Sequence, residues 1–399
     1  MRRRALAALI AAALSSACGH SGATVAGPSA RVSRSSALSP TTAERPAAPV
    51  DNAALVAIAA GYRTMCKSPG AAVGVRTSDG RTDFAISGRL AAGIALDRRS
   101  QFLAGSVTKL FVAAITYELV AAHRLALADT VDRYLPKWPR GNRITVAMLL
   151  GHRSGMGDFG NNFGKQLTDL VLADLGRVFT YDDVLDLVRA VPPVALPGTT
   201  YHYSNANYIV LGAILQRVTR TTLGRLIDTR IIEPLGLSRT LYGPDDLAAA
   251  QRVVFHGLFD VSGTGTPVDI GTFSRAAALT VDPAGAGIFS SLPDLLTFAN
   301  ALFGTNTLIN AAARTELARS VSTLTAKDLL LSGRFAIEGH VGASPGAQTI
   351  VAYDRTSATT VAVWCNRLDP GANELLASVV AAKKTFALAV ARGRRPPRP

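Results

Sequence analysis

Phe102-Leu103-Ala104-Gly105-Ser106-Val107-Thr108-Lys109-Leu110-Phe111 is the stretch on which the reading of this chain turns. A serine follows a glycine and opens a long apolar run, and a lysine stands three residues later. On a helix, positions i and i+3 share a face, with Cβ atoms about 5–6 Å apart. A hydroxyl in the first turn and an amine one turn on can therefore meet, as a nucleophile and its base must. Ser is also a favoured N-cap, so Ser-x-x-Lys alone equally fits a capped helix with a surface lysine. The surroundings separate the two readings. The helix predicted over residues 106–123 is apolar nearly all round (Val107, Leu110, Phe111, Ala114, Ile115, Leu119), which marks it as buried, and burial lowers the proton affinity of an amine.

Outward from that helix, a helical pattern runs from Asp51 through Leu55, Val56, Ile58 and Ala59 to Tyr62, and Ser68-Pro69-Gly70 ends it. Residues 71–77 and 81–87 flank Ser78-Asp79-Gly80 and read as a β-hairpin. The middle of the chain, to about residue 275, is mostly helix and loop, clearest at 208–217 and 223–232. A helix is predicted over 290–303, strands over 335–338, 348–353 and 358–364, and a last helix over 373–391. Strands at both ends with helices between predict an α+β architecture: one antiparallel sheet built from both chain ends and flanked by helices, with a mostly helical second lobe. The sheet lobe would span about 51–104 and 276–391, and the helical lobe about 105–275.

The chain has 399 residues, 48% hydrophobic and 18% charged, enough to bury a substantial core. Its net charge of +14 is unevenly spread: residues 1–50 carry +5 and the tail 392–399 carries +4, leaving +5 for 51–391. That body has no basic stripe interleaved with aromatics, which argues against a nucleic-acid partner. Arg2-Arg3-Arg4, the apolar run from Ala5 to Leu14 and the small residues Ser15-Ser16-Ala17 before Cys18 form a signal peptide over 1–18, too short to span a bilayer. Cys18 is the lipidation candidate of a lipoprotein-type processing site, while Ser15-x-Ala17 equally suits cleavage without lipidation. The expected location is the cell envelope, anchored to the outer face of the cytoplasmic membrane by a lipid on Cys18, or secreted. Residues 19–50, rich in Ser, Ala, Pro, Thr and Gly, read as a disordered tether. Of the three cysteines, Cys66 precedes one predicted strand and Cys365 ends another. If those strands are antiparallel neighbours, the two meet, which predicts a Cys66–Cys365 disulfide.

Two further stretches could complete a serine site. Tyr201-His202-Tyr203-Ser204-Asn205 precedes a helix and could present a phenol and an amide to one cavity. It also fits an aromatic plug with an Asn cap. Gly339-His340-Val341-Gly342-Ala343-Ser344-Pro345-Gly346 leads into a strand, and its glycines would let a substrate approach the backbone. The Gly342-x-Ser344-x-Gly346 pattern imitates a nucleophile elbow, but that motif needs a helix after the serine and an N–H on the next residue. Here Pro345 has none and a strand follows. The six His and three Cys show no metal-ligand spacing, and Gly-Thr-Gly-Thr at 263–266 precedes a proline and no helix. No metal or cofactor is expected.

Ser106-Val107-Thr108-Lys109, Tyr203-Ser204-Asn205 and His340-Val341-Gly342, in that order, resemble the class C β-lactamase-related serine hydrolases, which include D-alanyl-D-alanine carboxypeptidases, esterases and β-lactamases. Ile144-Thr145-Val146-Ala147-Met148-Leu149-Leu150-Gly151-His152-Arg153-Ser154-Gly155, Leu196-Pro197-Gly198 and Ala286-Gly287-Ile288-Phe289-Ser290-Ser291 are similar to the family's surrounding text. The resemblance covers roughly residues 51–391 and implies the serine β-lactamase and penicillin-binding-protein-like transpeptidase fold. It implies that Ser106 forms an acyl-enzyme, that Lys109 and Tyr203 act together as base, that Asn205 hydrogen-bonds Lys109 or substrate, and that the N–H groups of Ser106 and Ala343 form the oxyanion hole beside Gly342. A phenol titrating near about 10 needs a neighbouring cation to act as a base, for which Lys109 and His340 are the candidates. His340 and Val341 replace the family's more usual Lys and Thr, weakening recognition of β-lactams and of a peptide carboxylate. The expected substrate is a small peptide, an ester or a β-lactam. D-alanyl-D-alanine carboxypeptidase-like activity on cell-wall peptides ranks first, then carboxylic-ester hydrolysis, then β-lactam hydrolysis. A catalytically silent envelope binding protein is the alternative from another class. The oligomeric state is not implied.

Overall fold

Side-chain alternation along the strands gives the sheet two apolar faces, and each face selects its own helical cover. The computed structural model describes residues 52–158, 170–171, 173–260, 266–320, 336–368 and 376–392. The signal peptide, Cys18, the tether and the tail after Arg392 lie outside these residues, as do Phe335 and residues 263–265. Helix α1 (Asn52–Met65) leads into strands β1 (Gly70–Arg76) and β2 (Thr82–Gly88). From the other end of the chain come β6 (Ile337–Ser344), β7 (Ala347–Asp354), β8 (Thr359–Cys365) and a terminal helix, α8 (Leu376–Arg392). The five strands form one antiparallel sheet in the order β2-β1-β8-β7-β6. The sheet expected from both chain ends is therefore the one observed.

Residues two apart share a face. Ala71, Val73 and Val75 of β1, with Val361 and Val363 of β8, pack against Leu55, Ala59 and Tyr62 of α1 and Ala381 and Phe386 of α8. The two helices are joined by a hydrogen bond between Tyr62 Oη and Ser378 Oγ (2.7 Å). Ala71 lies opposite Cys365 in the β1–β8 ladder. Cys66, just upstream, is joined to Cys365 by a disulfide with Cα atoms 6.8 Å apart. On the opposite face, Ala72, Val351, Ala362 and Trp364 enter a larger core shared with the helical half. Trp364 stacks on Phe102 (ring centroids 4.7 Å apart), which fixes the approach to the Ser106 turn.

That approach is the short strand β3 (Phe102–Leu103), followed by a 3₁₀ turn at Gly105–Val107 and the buried helix α2 (Thr108–Ala121). The helical half supplies α3 (Val146–Leu150), α4 (Tyr181–Ala190) and α5 (Asn205–Thr219). A second small sheet joins β3, β4 (Leu241–Tyr242) and β5 (Ile288–Ser290), with β5 in the centre. A short helix, α6 (Pro283–Ala286), precedes β5, and α7 (Leu292–Ala299) follows it.

Two predicted boundaries are corrected. The helix expected from residue 290 begins at Leu292, because Ser291 caps it by accepting Asp294 N–H while Ser290 pairs with Phe102 in the small sheet. The segment from Gly339 to Ser344, read as a lead-in to a strand, is itself most of β6. Pairing with β7 outweighs the low strand preference of its two glycines. Ser344 thus closes a strand before the Pro345-Gly346 turn, and β7 follows, as expected for a false elbow motif.

Candidate active site

Three segments converge on Ser106. Its Oγ accepts hydrogen bonds from Lys109 Nζ (3.0 Å), one turn along, and from Tyr203 Oη (2.9 Å), just before α5. Lys109 is fully buried, and its ammonium head meets two carbonyl oxygens besides the serine: Asn205 Oδ1 at 2.7 Å and Gly285 O at 3.1 Å. A carbonyl can only accept. An uncharged Lys109 would spend its two N–H groups on these carbonyls and turn its lone pair toward Ser106. An ammonium would place its third N–H there. The same heavy-atom geometry serves both protonation states, so a proton can pass between Ser106 and Lys109 without side-chain rearrangement. The Nζ also lies 5.2 Å from the centre of the Tyr203 ring and 5.7 Å from that of Tyr208, where the π faces favour positive charge.

Tyr203 is held from behind by a loop whose role was not read in the sequence. The His152 ring stacks on Tyr203 with centroids 4.3 Å apart. Its Nδ1 accepts from Ser204 N–H (3.2 Å) and lies 3.2 Å from Asn207 Nδ2. His202 N–H donates to His152 O (2.8 Å), and Ser204 Oγ donates to Gly157 O (2.8 Å). Full burial keeps His152 neutral, with its pKa well below the ordinary value. Burial is the main cause, and the Lys109 charge adds to it. Asn205 is oriented in turn by Asp158, whose Oδ1 receives both its backbone N–H (3.1 Å) and its Nδ2 (3.4 Å). This leaves Oδ1 of the amide for Lys109.

The third motif reaches the serine through backbone. In a ladder closed by a two-residue turn, Ser344 and Ala347 form the hydrogen-bonded pair, so the N–H of Ala343 faces the open edge of β6. Gly105 (φ +55°) passes against Ala343, and a Cβ built on Gly105 would sit 2.7 Å from both Ala343 N and Ala343 O. Gly342 packs against the Ala104 carbonyl more closely still: a Cβ there would collide with its oxygen. Ser106 N–H belongs to the first turn of the helix, where amides lack intrahelical partners. The Ser106 and Ala343 amides therefore border one site.

His340 departs from its expected role. It is buried on β6, and its Nδ1–H donates to Val341 O (2.7 Å). Burial, with the Lys109 charge, pushes its pKa down to about 3. Partial positive charge near neutrality, expected from an ordinary imidazole, is thus lost to desolvation. The cation beside Tyr203 is Lys109 alone of the two candidates. His152, Asp158 and Gly285 are the groups at the site that sequence reading did not assign. His152 lies inside the family-like segment at 144–155, Asp158 lies three residues beyond it, and Gly285 immediately precedes the 286–291 segment.

The Beta-lactamase family model matches residues 55–384. The chain is 30% identical over 223 residues to unguisins hydrolase ungD of Aspergillus violaceofuscus, covering 53% of this chain and 38% of that protein. It is 34% identical over 155 residues to esterase EstB of Burkholderia gladioli, covering 37% and 39% of the two chains. These matches thus span well under half the length of either relative. A solved structure of D-amino acid amidase from Ochrobactrum anthropi SV3, complexed with D-phenylalanine, aligns with a TM-score of 0.70 at 20% identity, covering 86% of this chain and 99% of that one. That likeness bears on fold: the penicillin-binding-protein and β-lactamase fold expected from the motifs. With the family model matching most of its length, the chain belongs to the Beta-lactamase family.

Proposed function

We propose that the chain is a serine hydrolase that works through an acyl-enzyme and acts on acyl esters and amides whose leaving group carries no carboxylate. The observation that carries the chemistry is Ser106 Oγ, held at 3.0 Å from Lys109 Nζ and 2.9 Å from Tyr203 Oη. The Ser106 proton passes to the Lys109–Tyr203 pair as Oγ attacks the substrate carbonyl carbon. The carbonyl oxygen becomes an oxyanion and is met by the Ser106 and Ala343 N–H groups, which stabilise charge present only in the transition state. Collapse breaks the bond to the leaving group, which takes the proton back through Tyr203. Water then attacks the acyl ester by the same route, releasing acid and restoring Ser106.

The substrate preference rests on His340. A neutral imidazole whose Nδ1–H is spent on Val341 O has no charge to offer a C-terminal carboxylate. This ranks neutral esters and amides above the D-alanyl-D-alanine carboxypeptidase reading suggested by the motifs alone. Among the similar proteins, an esterase fits this order, while a penicillin-binding protein and putative D-alanyl-D-alanine carboxypeptidases fit the alternative. The test is a matched pair of substrates, a D-alanyl-D-alanine peptide and its C-terminal amide or methyl ester, with Ser106→Ala as control. Faster Ser106-dependent turnover of the free acid would reverse the order, and no Ser106-dependent turnover or fluorophosphonate labelling would overturn the hydrolase reading. Export remains part of the proposal, supported by the leader-like residues 1–18. Radiolabelled palmitate incorporated by the full chain but not by Cys18→Ser would establish the anchor, and a cytoplasmic full chain would refute export.

A further inference from the structure

The site contains two buried carboxylates for which the acyl-transfer chemistry gives no role. Lys109 donates to two carbonyl oxygens, Asn205 Oδ1 and Gly285 O, and a carboxylate stands behind each. Behind Asn205 is Asp158, 0% exposed, receiving both N–H groups described above. Behind Gly285 is Asp282, 3% exposed, at the entry to α6. A Cβ on Gly285 would collide with the Asp282 carboxylate, which shows how closely the group covers that backbone. Among the described residues, neither Asp282 oxygen makes a well-formed hydrogen bond. A buried carboxylate that the Gly285 N–H meets without a well-formed bond is costly to keep, so its retention beneath the acceptor of a buried lysine calls for a cause.

We propose that Asp158 and Asp282 are paired positioning residues that set the proton affinity of the Lys109–Tyr203 base, each acting through one carbonyl acceptor of Lys109. The inference rests on Ser106, Lys109 and Tyr203 being the reacting set. Each negative charge polarises the carbonyl in front of it and favours the ammonium form of Lys109. Together they replace the second cation that a charged third-motif residue would have supplied with a different control, placed behind the base. Asp282 titrates at about 6, because burial and the Asp158 charge raise it while Lys109 and the Gly285 N–H oppose them. The other titratable groups facing this cluster are neutral near pH 7. Tyr181, Tyr208 and Tyr242 are held well above the ordinary phenol value, and His152 and His340 below the ordinary imidazole value, in each case chiefly by burial.

Removing a negative charge lowers the proton affinity of every group near it. In Asp158→Asn both limbs of the pH profile for Ser106 acylation, and in Asp282→Asn the limb above about pH 6 where that carboxylate is ionised, should therefore move to lower pH, by about one unit for a charge at close range. The readout is the second-order rate of fluorophosphonate labelling between pH 4 and 10, which needs no knowledge of the natural substrate. Asp282→Asn also removes a buried charge that has no well-formed hydrogen bond, so its melting temperature at pH 8 should equal or exceed that of the parent. A lower rate with unmoved limbs in both variants would show ordinary structural roles and overturn the proposal. So would a folded Asp282→Asn with a parental profile. If Asp158→Asn fails to fold, Asp282→Asn decides alone. Absence of labelling in the parent would instead refute the hydrolase reading, which keeps the two failures distinct.

Discussion

Replacing Gly105 by alanine tests the oxyanion geometry most directly. Gly105 occupies φ +55°, a left-handed conformation that costs a residue with a Cβ about 1–2 kcal/mol. The new methyl would lie 2.7 Å from Ala343 N and from Ala343 O, against 3.4 Å for ordinary contact. The gap between the Ser106 turn and β6 must therefore open by about 0.7 Å. The atoms displaced are backbone, with no flexible side chain to absorb the change, and one of them is the proposed donor. Loss of one oxyanion donor costs about 10²–10³ in kcat, and misplacement by about 1 Å about 10². An opening of this size predicts a fall in kcat of about 10–10²-fold, with KM little changed because the ground-state carbonyl is less demanding. The measurement is p-nitrophenyl ester hydrolysis, with a thermal melt to confirm folding and Ser106→Ala as background. A folded Gly105→Ala protein with kcat within about threefold of the parent would refute the placement of Ala343 N–H in the oxyanion site.

Other outcomes follow from the same structure. Cys66→Ser or Cys365→Ser should cost about 2–5 kcal/mol, read as a lower urea midpoint, and an unchanged midpoint would refute a stabilising bridge. His340, held at about 3 in the native protein against about 6.5 when unfolded, binds its proton more readily in the unfolded state. Its contribution to stability is therefore present above about pH 6.5 and lost as pH falls toward 3. His340→Gln should accordingly lose less melting temperature between pH 7 and pH 4 than the parent, and an equal loss would show that His340 is not held neutral. Thr108→Val removes the buried acceptor of Ile288 N–H (3.1 Å) and should cost about 1–3 kcal/mol by chemical denaturation. A parental midpoint would mean that the amide finds another partner.

What could be read from the sequence depended on whether the cause was local. Ser106 and Lys109 are one helical turn apart, so their meeting follows from a period. The Cys66–Cys365 bridge follows from the ends of two strands that are antiparallel neighbours. The β6 strand was harder, because Gly339 and Gly342 look like loop residues. They are tolerated because β6 must pass close to β7 on one side and to Ala104 on the other. The charge state of His340 could not be read at all, since it depends on burial by residues distant in sequence. Asp158 and Asp282 carried no pattern of their own: each is a lone acid whose significance appears only when Asn205 and Gly285 are seen to share Lys109.

The disulfide gives the molecule a property beyond stability. Cys66 and Cys365 are 299 residues apart, and Ser106, Lys109, Tyr203, Asn205 and Ala343 all lie between them. Covalently, the whole candidate site belongs to a closed ring from which α1 and α8 extend as two arms. A protease that cuts one loop of that ring leaves two polypeptides still joined by the disulfide, without releasing a fragment. The nicked product runs as a single species until it is reduced, with nucleophile, base and oxyanion strand still on one molecule.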